Sequence, residues 1–598
     1  MAVPPIQRSL RSAASGNSWL LDTLLGLLVV CALPLAITTI PNTLSVVAKL
    51  LPGDIDQVGL MRTHGLALPA LMLTVPLAAV ALRRVPAAHL MLAGLALVAL
   101  SDAAGGYAVT EPVVGAVRVS RGVGSGLLLA ATLVAVWLRT PVLRGLWAGM
   151  FSLSLLTAQA LALWPLDAVS SWKVTLQPYP LVTGVALGLA AAYLLAWMLL
   201  GRPEAPVQEV GERGRLLLSG VLAAGIAVVA VSTASAGWQA PPVVLLAATA
   251  VIGLLALASI GAAESRRAAY VLVAVGVVLL PSAAQVTLVE MGGLGGPGLR
   301  GLWIPYGVAG VLAIGAAVAV RVFPVAAGRW LAPLGLLSMV VGLCSVRLVV
   351  PSADGMVLAV PFALLAVGAA VAVTATLREV GIGAAAFGLS LCVAGVLAGF
   401  LLGTGVQMAL LDGVRSAQEL VDKFVGALHW WALIGGFLLV AVIVLAAVLA
   451  RRSEGDGGGR RAFDDVLLVP ASPDDPGLSS EAADCAGDRR KWGDAFAAAE
   501  GAGQEGAEES GGGVPEGGGS RQSGQAAQGG QAAQGGQAAQ GGQAAQGGQA
   551  GSAFAGAESA PEDGPGKGSE EGPGKGSEEG PLPAVPPQGK SPEDDRAP

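Results

Sequence analysis

Between residues 19 and 450 the chain alternates long apolar runs with short polar breaks. The runs fall near 19–40, 66–82, 87–105, 113–138, 143–164, 180–200, 215–236, 242–262, 269–289, 302–322, 330–350, 356–376, 382–406 and 428–450. Each approaches the roughly 20 apolar residues that a helix needs to cross the hydrocarbon core of a bilayer. Apolar positions are continuous within a run rather than alternating, which predicts helices and excludes barrel strands. Gly, Ala and Leu dominate, so the helices are expected to pack closely through small residues. Past residue 452 the pattern stops, and Gly, Gln, Pro and acids take over.

The polar breaks give the runs a direction. With the N-terminus inside, the inner breaks hold sixteen Arg, among them Arg83, Arg84, Arg139, Arg144, Arg321 and Arg378. The outer breaks then hold seven Lys or Arg. Every inner break obeys the positive-inside rule. Both termini are therefore expected in the cytoplasm, with the chain in the cell inner (cytoplasmic) membrane. The outer stretch 407–427 is expected to form a short surface helix ahead of Trp430 and Trp431, which suit either an interfacial belt or packing.

Composition agrees with a membrane chain. Of 598 residues 54% are hydrophobic and 13% charged, with mean hydropathy +0.67. A soluble domain carries roughly 25% charged residues. The net charge is −6, and no basic stretch is interleaved with aromatics, which excludes nucleic acid as a partner. Residues 453–598 hold twenty-five acids and ten bases, so the remainder is basic. Four GGQAAQ-like repeats near 524–548 and two copies of GPGKGSEE cannot bury enough apolar surface to fold, which predicts a disordered acidic tail. Two islands in it, 463–468 (FDDVLL) and 492–500 (WGDAFAAAE), are candidates for docking an unknown cytoplasmic protein. The cysteines Cys31, Cys344, Cys392 and Cys485 form no CxxC pair and read as small packing residues. No metal site, cofactor site or catalytic cluster is expected, so transport is favoured over enzymatic chemistry.

Several segments resemble a known family. Arg118-Val-Ser-Arg-Gly122-Val-Gly124-Ser-Gly126 resembles the R-x-x-Q-G-x-G motif of the major facilitator superfamily. Ser171-Trp172-Lys173 followed by Pro180, and the stretch from Gly293 to Pro305, resemble segments of its fourteen-helix drug:proton antiporters. The resemblance covers roughly residues 18–450. It implies an all-α membrane protein of about fourteen transmembrane helices, in two six-helix halves with two extra helices between them. The corresponding organisation is a cytoplasmic N-terminus (1–17), a first half (18–200), a connecting loop with the extra helices (201–268), a second half (269–452) and the tail (453–598). It also implies proton-coupled export of small amphipathic compounds. The chain departs from the family at three places. Ala32 stands where the first helix carries Asp. In the loop after the second helix Ala79, Arg83 and Pro86 replace Gly, Asp and Gly, leaving Arg84 as the match. Thr157–Ala162 replaces a G-P-x-x-G-G run. These departures support a second reading, a transport-deficient scaffold or regulator that acts through its tail.

Ionisable residues at membrane depth are functional candidates. Arg118 matches the family Arg, and Arg121 lies three residues on. Asp102, near the outer end of the third run, is expected to pair with Arg118. Asp22 and Glu290 sit near the ends of the first and ninth runs, Gln285 is a cavity candidate, and His64 and His89 read as loop-edge residues. The partners implied are the lipid bilayer, an unidentified small molecule and protons.

Overall fold

The computed structural model describes residues 6–44, 57–167, 171–200, 212–233, 238–260, 263–291, 296–322 and 328–467. They form α1 (Ile6–Ile37), α2 (Gln57–His64), α3 (Ala67–Ala81), α4 (Ala87–Gly105), α5 (Glu111–Trp137), α6 (Pro141–Leu163), α7 (Pro180–Leu200), α8 (Glu212–Thr233), α9 (Ala240–Ala258), α10 (Ala263–Glu290), α11 (Gly298–Val322), α12 (Gly328–Val349), α13 (Ala359–Glu379), α14 (Ile382–Leu411) and α15 (Ala417–Leu467). No strand occurs among the described residues. Among the described residues fourteen segments are long and apolar enough to cross a membrane, with α2 and α3 together making the second. Proline marks several boundaries: it occupies the first turn of α5, α6 and α9, where its missing N–H would have no helical partner anyway.

Packing divides the spans into groups. In the first, α5 lies against α1, α2, α3 and α4, while α7 packs on α1 and α4. In the second, α10 packs on α14, α15 and α13, and α11 and α12 both flank α13. The groups meet where α6 lies on α11, α13 and α10, and where α3 lies on α14. Helices α8 and α9 pack over that second meeting line, α8 on both α3 and α14, α9 on α14 and α10.

Four boundaries differ from the apolar pattern. The second span begins at Val58, not near 66. Arg62 and His64 interrupt the apolar run, yet Gln57–His64 is helical because the protein itself caps the end of that turn, as described below. The stretch 407–427 holds no separate surface helix; α14 continues to Leu411 and α15 starts at Ala417, leaving only five residues between them. Helix α1 reaches back to Ile6, into the segment assigned to the N-terminus. Helix α15 runs to Leu467, past the boundary set at 452 and through most of the FDDVLL island. The repeats, the WGDAFAAAE island, Cys485, residues 201–211 and the start of the 293–305 match lie outside the described residues.

The span order places Val85, in the exposed turn after α3, and Gly413, between α14 and α15, on opposite faces of the membrane. In a chain freed of its native cysteines, a single Cys at 413 is expected to react with an impermeant maleimide in intact cells, and one at 85 only after lysis. The reverse pattern would overturn the cytoplasmic assignment of the termini.

Candidate functional site

Arg118, Arg121 and Asp102 converge near the start of α5, but not in the expected pairs. Arg121 Nη1 lies 2.9 Å from Asp102 Oδ1 of α4, both almost fully buried. Asp102 therefore pairs with Arg121 and not with Arg118. Residues 118 and 121 are three apart, and at about 100° per residue their side chains leave the helix in directions differing by about 60°. That is enough to send one toward α4 and α7 and the other toward α1 and α2. Arg121 Nη1 also donates to the Leu176 carbonyl (2.6 Å), and Thr183 Oγ1 of α7 donates to Asp102 Oδ2 (2.7 Å). The pair thus ties α4, α5, α7 and the segment ahead of α7 into one unit. Trp172 of that segment is buried against Leu44, Leu60, Ala108, Val114 and Leu176, and Lys173 Nζ donates to the Gly106 carbonyl.

Arg118 serves a different purpose. Its Nε donates to the carbonyl of His64 (2.8 Å), and Nη2 to those of Thr39 (2.8 Å) and Pro41 (3.4 Å). Carbonyls in the last turn of a helix have no partner within it. His64 ends α2, and Thr39 and Pro41 follow the end of α1. One buried guanidinium therefore caps the end of α2 and the turn that follows α1 at once. Thr39 Oγ1 adds a bond to Ser125 Oγ of α5 (3.0 Å). His64 itself is fully buried, which corrects its reading as a loop-edge residue, and neither ring nitrogen has a partner among the described residues. Sequence reasoning missed it because the group that donates to its carbonyl, Arg118 of α5, lies fifty-four positions along the chain.

The motif glycines explain the closeness of these helices. A Cβ on Gly122 would meet the Ala67 carbonyl of α3, and one on Gly126 would lie 2.9 Å from the Leu71 carbonyl. Gly124 faces the other way, where a Cβ would lie 2.6 Å from the Gly94 carbonyl of α4. Arg84 is exposed in the turn after α3 and joins none of these groups. Ala32 is completely buried in the apolar core.

The remaining candidates stand apart. Asp22 lies 3.5 Å from Arg139 at the far end of α5. Glu290 is fully buried at the end of α10; its Oε1 accepts from the Ser352 N–H (3.1 Å), while Oε2 has no partner among the described residues. Gln285 packs beside Gly403 of α14, inside the second half. The tryptophan pair divides its roles: Trp430 is exposed, whereas Trp431 is buried and donates to Ser282 Oγ (2.9 Å). His429 Nε2 lies 3.1 Å from the Val350 carbonyl, and His89 stands edge-on to Trp197.

No protein-family model and no curated protein matches the chain. Among solved structures it is similar to the proton:xylose symporter XylE of the major facilitator superfamily, bound to 6-bromo-6-deoxy-D-glucose, at 15% identity over 72% of this chain and 95% of that one, with a TM-score of 0.47. It is similar to the human organic anion transporter MFSD10 (TETRAN) at 16% identity over 73% and 100% of the two chains, with a TM-score of 0.42. It is also similar to a bacterial homologue of the human drug peptide transporters PepT1 and PepT2, at 13% identity over 73% and 99%, with a TM-score of 0.45. The chain is an all-helical membrane protein with fourteen segments able to span a bilayer among the described residues, and the buried Arg118, Arg121 and Asp102 join helices of its first group.

Proposed function

We propose that the chain is a secondary transporter of the cytoplasmic membrane, with both termini in the cytoplasm, whose two halves rock about a site between them. The observation that carries this reading is where charge and small residues are placed. The Arg121–Asp102 pair and the Arg118 cap hold helices together inside the first half. The line between α6 and α11 is built instead from Gly145 and Gly149 against Ile314, Ala317 and Val318. Along the membrane-spanning part of that line the two groups meet through small and apolar residues, with Arg144 and Arg321 only at its end, so they can separate there without breaking an ion pair. The motif match at Arg118–Gly126 supports export of small amphipathic compounds against inward proton flow. Asp102, Glu290 and Asp22 are the carboxylates available to carry protons.

The scaffold reading is favoured by Ala32, buried where the resembled family carries Asp, and by Arg118, whose bonds all go to backbone carbonyls. One experiment separates the two. Purified protein in liposomes, given a pH gradient and a panel of amphipathic cations, is expected to move protons with at least one compound. The isosteric replacements Asp102→Asn, Glu290→Gln and Asp22→Asn then identify the carrier as the one that abolishes proton movement in a folded protein. Absence of compound-dependent flux across the panel would favour the scaffold.

A further inference from the structure

A second group of arginines lies away from the Arg118 cluster. Arg144 opens α6, Arg321 ends α11 and Arg378 ends α13, where the two halves meet. Arg144 and Arg321 line the same small gap, together with Trp137, Leu377 and Thr374. Arg321 experiences the positive charges of both Arg144 and Arg378. Among the described residues no carboxylate forms a salt bridge with Arg144 or Arg321. Arg144 rests on the Trp137 ring, 5.5 Å from its centroid, with its buried Nε unpartnered. Thr374 Oγ1, on a side chain only 2% exposed, is also without a partner. Like charges gathered at a half-buried site repel one another. Here the arginines flank an unused hydroxyl, and an anionic oxygen satisfies both.

Topology and tethering select the anion. The gap holds about 10 Å³, room for a single anionic oxygen and not for a whole group. A side-chain carboxylate presents such an oxygen. With fourteen spans, the start of α6 and the end of α15 fall on the same face of the membrane, whichever way the protein is inserted. The chain continues from that face into its acidic segment. Residues 474–488 contain Asp474, Asp475, Glu481, Asp484 and Asp488 and no base. Helix α15 carries the backbone about 28 Å beyond Val448 at 1.5 Å per residue. From Leu467 to Glu481 an extended chain spans about 45 Å, enough to return. Tethering also holds the segment at roughly millimolar effective concentration.

We propose that the arginine-lined gap between α6, α11 and α13 is the docking site of the chain's own segment 474–488, a carboxylate of which enters between Arg144 and Arg321.

The test places the photoreactive residue p-benzoylphenylalanine at Trp137 of the full-length protein, in nanodiscs of phosphatidylcholine alone or with phosphatidylglycerol. Irradiation is expected to cross-link position 137 to a peptide within 474–488 in both bilayers. Yield is expected to fall at least tenfold when Arg144→Gln and Arg321→Gln are combined. An equal fall is expected when the five acids are replaced by Asn or Gln, changes that leave the membrane helices untouched. Cross-links confined to lipid, to another tail segment or to none of the tail would overturn the proposal, as would a tail cross-link indifferent to the five acid replacements.

Discussion

Replacing Arg121 with Met is expected to destabilise the protein more than replacing Arg121 and Asp102 together. The single change leaves the Asp102 carboxylate buried with one remaining donor, Thr183. Breaking a buried ion pair from one side costs about 3–5 kcal/mol, because the surviving charge has lost its compensation. In the double variant Arg121→Met, Asp102→Leu neither charge of the pair remains, and Thr183 can turn its proton to the Tyr179 carbonyl, 3.1 Å away. The measurement is the unfolding midpoint of detergent-solubilised protein at one fixed scan rate, since membrane proteins seldom unfold reversibly. A double variant no more stable than Arg121→Met alone would mean that the pair does not act as a unit. Arg118→Ala is the informative comparison. It strands the carbonyls of Thr39 and His64, at about 1–3 kcal/mol for each buried group left unsatisfied. Arg118→Lys cannot reproduce the three-way fork, so recovery is expected to be partial.

Replacing Gly149 with Leu is expected to open the line between the two halves while leaving each half folded. A Cβ at 149 would lie 2.7 Å from the Ile314 Cα, and one at 145 would lie 2.8 Å from the Val318 Cα. Backbone atoms cannot step aside as a side-chain tip does, so α6 and α11 must part. Neither half depends on that contact for its internal ion pair or cap, and the expected result is a shift in conformation. A single Cys at 318 in the Gly149→Leu protein is expected to react with a polar thiol reagent at least ten times faster than in the parent. Gly184→Leu, where no atom lies within 4 Å of an added Cβ, is the control and is expected to change nothing. Unchanged reactivity at 318 would show that the seam is not the element that moves.

Much of the architecture was legible along the chain. A span is a local property: some twenty consecutive residues must be apolar, because a bilayer offers the backbone no water to bond to. That is why fourteen apolar runs became fourteen candidate spans, and why prolines at 112 and 141 mark the openings of α5 and α6. Three glycines at alternating positions 122, 124 and 126 likewise announce close packing on two sides of one helix. Partners were a different matter. The sequence placed Asp102, Arg118 and Arg121 at similar depth, but which Arg meets the acid depends on how α5 is rotated against α4, and no run of apolar residues records that rotation. His64 looked like a loop residue because it interrupts an apolar run. It is buried because Arg118, fifty-four positions later, satisfies its carbonyl. Trp430 and Trp431 are adjacent in sequence, yet one is exposed and the other bonds to Ser282 across α10. Hydrophobicity decides locally whether a segment enters the membrane. Which of its faces is buried, and against what, is settled only when the helices assemble, because those contacts join residues tens to hundreds of positions apart.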